Sequence, residues 1–189
     1  VNGNKAQVTK ADGNAMALTV EYSLAVSSGL RGQVVSFHDD SDVTVSLFVD
    51  GSAEPKYTVA VPGGTKDSSG KYTAVYDIPS VTAGTYIVQV SKKNHVTREY
   101  TVTVGGDVKT LNAEIWLLGD VNGDGIRDMT DAVQIRRKFN GKTSVFSKGD
   151  AGTKAYRLKV ANVYTDSSID TTDSGQIQRL FNGKSSVLN

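Results

Sequence analysis

Acidic residues are concentrated in one short stretch of this chain, Asp120–Asp131, which reads D-V-N-G-D-G-I-R-D-M-T-D. Like charges this close together repel one another, and a bound cation would offset the repulsion. Calcium takes about six to eight oxygen ligands, which a 12-residue loop supplies from positions 1, 3, 5, 7, 9 and 12. Every one of these positions carries an oxygen donor: Asp120, Asn122, Asp124, Ile126 through its carbonyl, Asp128 and Asp131. The stretch therefore predicts a calcium-binding loop.

Gly125 lies at position 6 of this loop, where the chain needs an unusual turn that glycine adopts at little cost. Position 12 usually carries glutamate, and the shorter Asp131 side chain can still be bidentate if the following helix starts closer to the ion. The structural alternative is an Asp, Asn and Gly-rich surface turn that caps a helix through Thr130 or Asp131 without any metal.

The C-terminal part of the chain contains an internal repeat. Asp131–Val145 reads DAVQIRRKFNGKTSV and Asp173–Val187 reads DSGQIQRLFNGKSSV, so equivalent positions lie 173 − 131 = 42 residues apart. The same offset places Asn162–Asp173 opposite the acidic stretch. Apolar residues recur at helical spacing after both stretches. Each unit is therefore predicted to be a 12-residue loop followed by a short amphipathic helix.

The second loop departs from this pattern, because Asn162 replaces aspartate at position 1, Tyr164 takes position 3 and Ser167 takes the glycine position. The predicted ligands that remain are Asn162, Asp166, Ser168 through its carbonyl, Asp170 and Asp173. Fewer carboxylates attract a cation less strongly, and a non-glycine residue in left-handed geometry adds about 1 kcal/mol of strain. We expect two Ca2+ sites with the first stronger. A metal-free second loop held by its own hydrogen bonds is the alternative.

The residues before this region alternate between apolar and polar or small side chains, with turn residues between the alternating runs. The predicted strands are Met16–Val26, Val43–Val49, Tyr57–Val61, Tyr72–Ile78, Tyr86–Val90 and Tyr100–Val104, with a looser continuation at Ile115–Leu117. Many short strands at regular spacing, without helical segments between them, favour an antiparallel sandwich.

The period changes from two to helical spacing at Leu117–Gly119, which we take as the boundary between two parts. No Ser- or Pro-rich linker lies there, so we expect the parts to pack against each other. The predicted domains are the sandwich at 31–118 and the repeats at 119–189, preceded by strands at 1–30. Those first residues are either an added hairpin turning at Asp12-Gly13 or the end of an upstream domain.

Composition excludes several classes of protein. The chain has 189 residues, a formal net charge of +1 and no cysteine. The near-neutral charge argues against a nucleic-acid partner, and no apolar run approaches the roughly 18 residues of a membrane span. From the pattern of the first residues we expect no signal peptide, which does not by itself indicate a cytoplasmic protein. The missing cysteines exclude disulfides, thiolate metal sites and cysteine nucleophiles, and they leave the compartment open.

The duplicated loop and helix, without the leading helix of an EF-hand, resemble the dockerin family over Gly119–Val187. The resemblance rests on G-D-V-N-G-D-G, on the loop endings T-D and T-T-D, and on the two Q-I-x-R-x-F-N-G-K segments. One departure is Arg127 at position 8, where the family usually has a branched apolar residue. The strands from about Arg31 resemble the Ig-like or carboxypeptidase-regulatory-like X modules found beside some dockerins. The implied fold class is an all-β antiparallel, Ig-like sandwich followed by a small all-α dockerin with two EF-hand-like calcium loop–helix repeats.

By this resemblance, the chain is expected to be a calcium-dependent, non-catalytic assembly module that binds a cohesin on a scaffoldin or cell-surface protein. Such a protein is secreted or extracellular, with attachment to the bacterial surface through the cohesin, and is monomeric without it. The family's contact surface, carried over, falls on Met129, Thr130, Arg136, Arg137, Asn140, Thr171, Thr172, Gln178, Arg179 and Asn182. The resemblance also implies that four apolar residues point into the core: Ile135, Phe139, Ile177 and Phe181.

Three other functions find less support in the residues. An enzyme would need one of two histidines, His38 or His95, and no G-x-S-x-G motif exists; we expect His95 to be a solvated turn residue. The main alternative is a carbohydrate-binding sandwich with a calcium-stabilised C-terminal module. Its many tyrosines mostly share the apolar face of their strands, however, and Trp116 is expected to pack between the two parts. A calcium sensor would need a Met-rich groove, and only Met16 and Met129 exist.

Overall fold

The computed structural model describes residues 28–188, together with the backbone of 8–9 and 15–16. The strands are β1 (Val8–Thr9), β2 (Ala15–Met16), β3 (Gly29–Ser36), β4 (Val43–Val49), β5 (Tyr57–Val61), β6 (Thr65–Lys66), β7 (Tyr72–Pro79), β8 (Gly84–Lys92), β9 (Arg98–Val104), β10 (Val108–Thr110) and β11 (Ala113–Glu114). β1 pairs antiparallel with β2. The predicted turn at Asp12-Gly13 and the rest of the predicted strand after Met16 lie outside the described residues.

Two larger sheets pack face to face. The first has the order β10-β3-β7-β6, with β11 also paired to β3, and the second has the order β5-β4-β8-β9. Alternating residues of the two sheets meet in one core that includes Leu30, Val45, Tyr76, Val88 and Val104. This alternation is why β4 and β5 lie at their predicted positions, and why β7, β8 and β9 contain the predicted runs.

The helices follow the strands: α1 (Met129–Phe139), a 3-10 turn (Val145–Ser147), α2 (Ala151–Ala161) and α3 (Thr171–Phe181). α1 begins with a capping box between Asp128 and Asp131, and α3 begins with the equivalent pair, Asp170 and Asp173. α1 packs against α3, although the 3-10 turn and α2 lie between them in the sequence. None of the helices in the described residues has the length and apolar character that a membrane crossing requires.

A second core joins the helices to the strand region. It contains Phe37 and Trp116 together with helix residues such as Ile135, Tyr156 and Ile177. Trp116 is 5% exposed, and its ring centroid lies 5.4 Å from that of Tyr156. The expectation that Trp116 packs between the two parts of the chain is therefore confirmed.

The predicted fold class is wrong. The described chain is a mixed, largely β fold with two main sheets and three short α-helices, rather than an all-antiparallel sandwich followed by a separate all-α part. β10 and β11 both run parallel to β3, an arrangement that alternation within a strand cannot reveal. The helices also share their core with Phe37, Trp116 and Leu117, because the apolar run before Gly119 is buried beneath them.

Candidate functional site

Asp120 is the centre of the first loop. Its Oδ1 accepts hydrogen bonds from the backbone N–H groups of Gly123 (2.8 Å) and Asp124 (3.2 Å), and its Oδ2 accepts one from Gly125 (2.8 Å). Both glycines have positive φ, +78° at Gly123 and +85° at Gly125, a region that side chains other than glycine's rarely adopt. The loop backbone is therefore folded around one carboxylate.

Asp131 closes the loop from the first turn of α1. Its Oδ1 accepts from the backbone N–H groups of Val121 (2.9 Å) and Asn122 (3.2 Å), and its Oδ2 accepts from Asp128 (3.1 Å). The exposed carboxyl group of Asp124 is held beside this centre, because Asn122 Nδ2 donates to Asp124 Oδ2 at 2.8 Å. The first and last predicted ligands are thus fixed to opposite ends of the same loop.

Asp120 and Asp131 are both 0% exposed. Burial raises the pKa of Asp120 to about 6 and that of Asp131 to about 7, against the backbone hydrogen bonds that favour their charged forms. Among the described residues, neither carboxylate forms an ion pair with a basic side chain. Arg127 interacts favourably with the charge of Asp120, but not at ion-pair distance. The loop therefore buries two acids, and no side chain of residues 28–188 forms an ion pair with either of them.

The chemistry of these donors fits a hard cation such as calcium, which binds carboxylate, amide and carbonyl oxygens. The described region, 28–188, contains no cluster of three or more His, Cys, Asp or Glu side chains arranged to hold a metal. A calcium loop also draws on Asn122 and on a main-chain carbonyl, which such a cluster does not include. The assignment of the eleven predicted ligands stays a prediction.

The second loop repeats this arrangement in part. Asp173 is buried and accepts from the backbone N–H groups of Tyr164 (3.0 Å) and Asp170 (2.9 Å), as Asp131 does in the first loop. At position 1, Asn162 Oδ1 accepts from Asp166 N at 3.1 Å. Thr165 has φ +54°, whereas Ser167, at the position of Gly125, is not left-handed. The left-handed backbone strain expected at Ser167 therefore occurs at Thr165 instead.

The two units also match beyond their loops. Gln134 Oε1 accepts from Val145 N at 3.0 Å, and Gln176 Oε1 accepts from Val187 N at 3.2 Å. The 42-residue offset seen in the sequence is thus repeated in the hydrogen bonds that close each unit.

The ten predicted partner-binding residues lie on accessible parts of these units. Eight are exposed, and Met129 and Gln178 are partly buried. Two of the four residues expected in the core are elsewhere: Phe139 is 54% exposed and Phe181 is 57% exposed, whereas Ile135 and Ile177 are fully buried. The core prediction was wrong for both phenylalanines, each of which is the last residue of its helix, where its side chain is left exposed.

His95 is not a solvated turn residue. Its Nε2 accepts from the backbone N–H of Phe37 at 3.1 Å, and its Nδ1 lies 2.7 Å from the Lys93 carbonyl. Burial lowers the pKa of His95 to about 4. The five strand tyrosines offer no fully exposed ring for sugar stacking, since Tyr76 and Tyr86 are buried and Tyr57, Tyr72 and Tyr100 are partly buried.

Sequence reasoning missed α2 and the contacts that it supplies. Arg157, although buried, donates from Nε to the Val121 carbonyl at 2.8 Å and from Nη1 to the Val145 carbonyl at 2.7 Å. The same helix places Tyr156 against Trp116. The buried pairs Tyr156–Arg157 and Val160–Ala161 recur four residues apart, a helical spacing that could have identified this helix.

Comparison with known proteins gives a limited result. No protein-family model matches the chain, and no curated protein matches it. Solved structures similar to it include a type II cohesin–X-dockerin complex from Acetivibrio cellulolyticus with a C-terminal interface mutation, at 22% identity, 80% coverage of this chain, 94% coverage of that chain and a TM-score of 0.32. The complex with an N-terminal interface mutation matches at 21% identity, the same coverages and a TM-score of 0.30. TM-scores this low do not establish a shared fold.

Proposed function

We propose that this chain is a calcium-dependent, non-catalytic assembly module that binds a cohesin on a scaffoldin or cell-surface protein. In this proposal the loop–helix units bind two calcium ions and present the partner surface, and the strand region supports them. The module acts outside the cell and is held at the bacterial surface through its cohesin. The observation that carries the proposal is the duplicated loop–helix unit, whose contacts recur at an offset of 42 residues.

The calcium part of the proposal is supported by the buried carboxylates. Asp120 and Asp131 lie in a loop of oxygen donors and have no ion-pair partner among the described residues. Burying an unpaired carboxylate is costly, and a bound cation would remove that cost. The predicted ligands of the first site are Asp120, Asn122, Asp124, Ile126, Asp128 and Asp131. Those of the weaker site are Asn162, Asp166, Ser168, Asp170 and Asp173.

The assembly part is supported by the outer surface of the two units. Thr130 and Thr172 are exposed at equivalent places next to the loops, and Arg137 and Arg179 are exposed at equivalent places on the helices. Two exposed phenylalanines, Phe139 and Phe181, add apolar area beside basic side chains in the last turns of α1 and α3. Apolar anchors flanked by arginine are typical of protein-binding surfaces.

The proposal is tested by titrating the chain against a panel of purified cohesins, in calcium and in excess chelator. We expect at least one cohesin to bind in calcium and binding to be lost in chelator. Asp120→Asn, which keeps the shape of the side chain and removes its charge, should weaken binding. Asp67→Asn, in an exposed turn of the strand region, is the matched control and should not. Calcium-independent binding, or no binding by any cohesin in a broad panel, would argue against the proposal.

A further inference from the structure

The first loop lies directly on two aromatic rings from outside the repeats. A Cβ atom at Gly125 would collide with the Phe37 ring, and one at Gly123 would lie 2.7 Å from Cε2 of Trp116. Real Cβ contacts are essentially never this short. The loop backbone therefore approaches both rings as closely as glycine alone allows, and both rings are almost fully buried.

These glycines are also the residues that orient the central carboxylate. The backbone N–H of Gly125 donates to Asp120 Oδ2, and that of Gly123 donates to Asp120 Oδ1, each at 2.8 Å. Each aromatic ring thus contacts a glycine that is itself hydrogen-bonded to Asp120, the first predicted ligand. A shift of either ring would move the N–H group that fixes Asp120.

Backbone hydrogen bonds fix both aromatic residues on the side away from the loop. The backbone of Phe37 is fixed by its N–H bond to His95 Nε2 at 3.1 Å. Trp116 donates its backbone N–H to Tyr156 Oη at 2.9 Å and accepts from Val96 N at 3.0 Å. Trp116 Nε1 lies beside the loop at Gly123, and it is buried without a hydrogen-bond partner among the described residues. Hydrogen bonds therefore fix the backbones of the two aromatic residues that lie beneath the first loop.

Within residues 28–188, no aromatic ring supports the second loop in this way. Thr165 and Ser167, which correspond to Gly123 and Gly125, are exposed. They border an open groove together with Val96, Leu118 and Ile169. The two loops therefore differ in how they are packed as well as in their predicted ligands.

We propose that Phe37 and Trp116 are positioning residues for the first calcium loop, which raise its affinity for the ion above that of the second loop. This inference rests on the calcium binding in the proposed function. Supports that orient metal ligands typically contribute about 10- to 100-fold in affinity. Because linkage is reciprocal, calcium in the first loop should in turn stabilise the contact between Phe37 and the loop.

The test separates the two loops with background substitutions and adds Phe37→Ala to each. Asp173→Asn leaves the first loop intact, and Asp120→Asn leaves the second intact. Calcium affinity is measured by calorimetry and by fluorescence of Trp116, the only tryptophan in the chain. Val88→Ala is the matched control, since it removes a fully buried side chain from the other core. Phe37→Leu, which keeps apolar volume, is measured in parallel in case Phe37→Ala does not fold.

We expect Phe37→Ala to lower the calcium affinity of the first loop by about tenfold or more and that of the second by less than about twofold. Phe37→Leu should have a smaller effect in the same direction, and Val88→Ala should have none. Equal losses at both loops, or no loss at the first loop in either Phe37 variant, would overturn the inference while leaving calcium binding intact. If the unsubstituted chain binds no calcium, the calcium part of the proposed function fails and the inference fails with it.

Discussion

Arg137 and Arg179 make the same contact in the two halves of the repeat. Each donates from Nε, across 2.6 Å, to the backbone carbonyl six residues later, at Thr143 and Ser185 respectively. The residues between them close each helix with further matching bonds, such as Lys142 N to the Arg137 carbonyl and Lys184 N to the Arg179 carbonyl, both 2.8 Å. The outer surfaces proposed to bind the partner therefore have matching backbone hydrogen bonds, and they differ mainly in side chains.

The matching contacts predict that substituting either arginine lowers stability equally, whereas the side-chain differences predict unequal effects on cohesin binding. Arg137→Ala and Arg179→Ala should each lower the free energy of unfolding by about 1 kcal/mol, since each removes one hydrogen bond to a carbonyl. The surfaces differ at Met129 against Thr171 and at Arg136 against Gln178, so one orientation should dominate for any given cohesin.

Two double variants test the orientation, Thr130→Ala with Arg137→Ala and Thr172→Ala with Arg179→Ala. One should weaken binding by about tenfold or more, and the other should have little effect. If each is harmless and only their combination abolishes binding, the two orientations are interchangeable and this prediction is wrong.

Asp131→Ala should destabilise the chain far more than Asp170→Ala. Asp131 is fully buried and accepts three backbone N–H groups, so its removal costs at least about 2 kcal/mol even before any calcium ligand is lost. Asp170 is a helix cap that mainly accepts from Thr172. Urea unfolding in calcium and in chelator measures both variants, and the gap between them should widen in calcium. An equal loss in the two variants would contradict the assigned roles.

The Tyr156 hydroxyl joins the helices to the strand region. It accepts from Trp116 N at 2.9 Å and donates to the Val96 carbonyl at 2.6 Å. Tyr156→Phe leaves these buried groups unpaired and should lower the free energy of unfolding by about 1–3 kcal/mol. The half-exposed Tyr164 is the matched control, and Tyr164→Phe should change stability little. Amide exchange should show faster opening at Trp116 in Tyr156→Phe only; unchanged exchange there would argue against this junction.

Acid should weaken the chain through His95. Its pKa is about 4 when folded and about 6.5 when unfolded, so the unfolded chain binds a proton first and stability falls as the pH drops from about 6.5 to about 4. His95→Gln should remove up to about 3 kcal/mol of that loss. The raised pKa values of Asp120 and Asp131 have the opposite effect, since they increase stability as the pH falls through part of this range. The original chain and His95→Gln must therefore be compared in the same buffers. A variant as acid-sensitive as the original would contradict the role of His95.

The parts of the structure that follow from local pattern could be predicted from the sequence. Alternation located β4 and β5 because one face of β4 is buried and one face of β5 is partly buried. The 42-residue offset located α1 and α3 because each follows an acidic loop. The buried ends of the first loop, Asp120 and Asp131, are the positions that the calcium spacing marks as first and last.

What could not be predicted depends on contacts between distant segments. The parallel pairing of β10 and β11 with β3 joins residues about 80 positions apart, and no local period encodes it. Helical spacing put Phe139 and Phe181 on the apolar face, but both side chains are more than half exposed in the last turns of their helices. The contact of Phe37 with Gly125 was also invisible, because glycine at position 6 already has an explanation in loop geometry.

The central claim, that a calcium-loaded repeat binds a cohesin, is tested most directly by one calorimetric titration of the chain with a cohesin, repeated over a series of free calcium concentrations. We predict that affinity rises with calcium and levels off as the first loop fills, and that Asp120→Asn shifts or abolishes the rise. An affinity that is the same in chelator and in saturating calcium would contradict the claim.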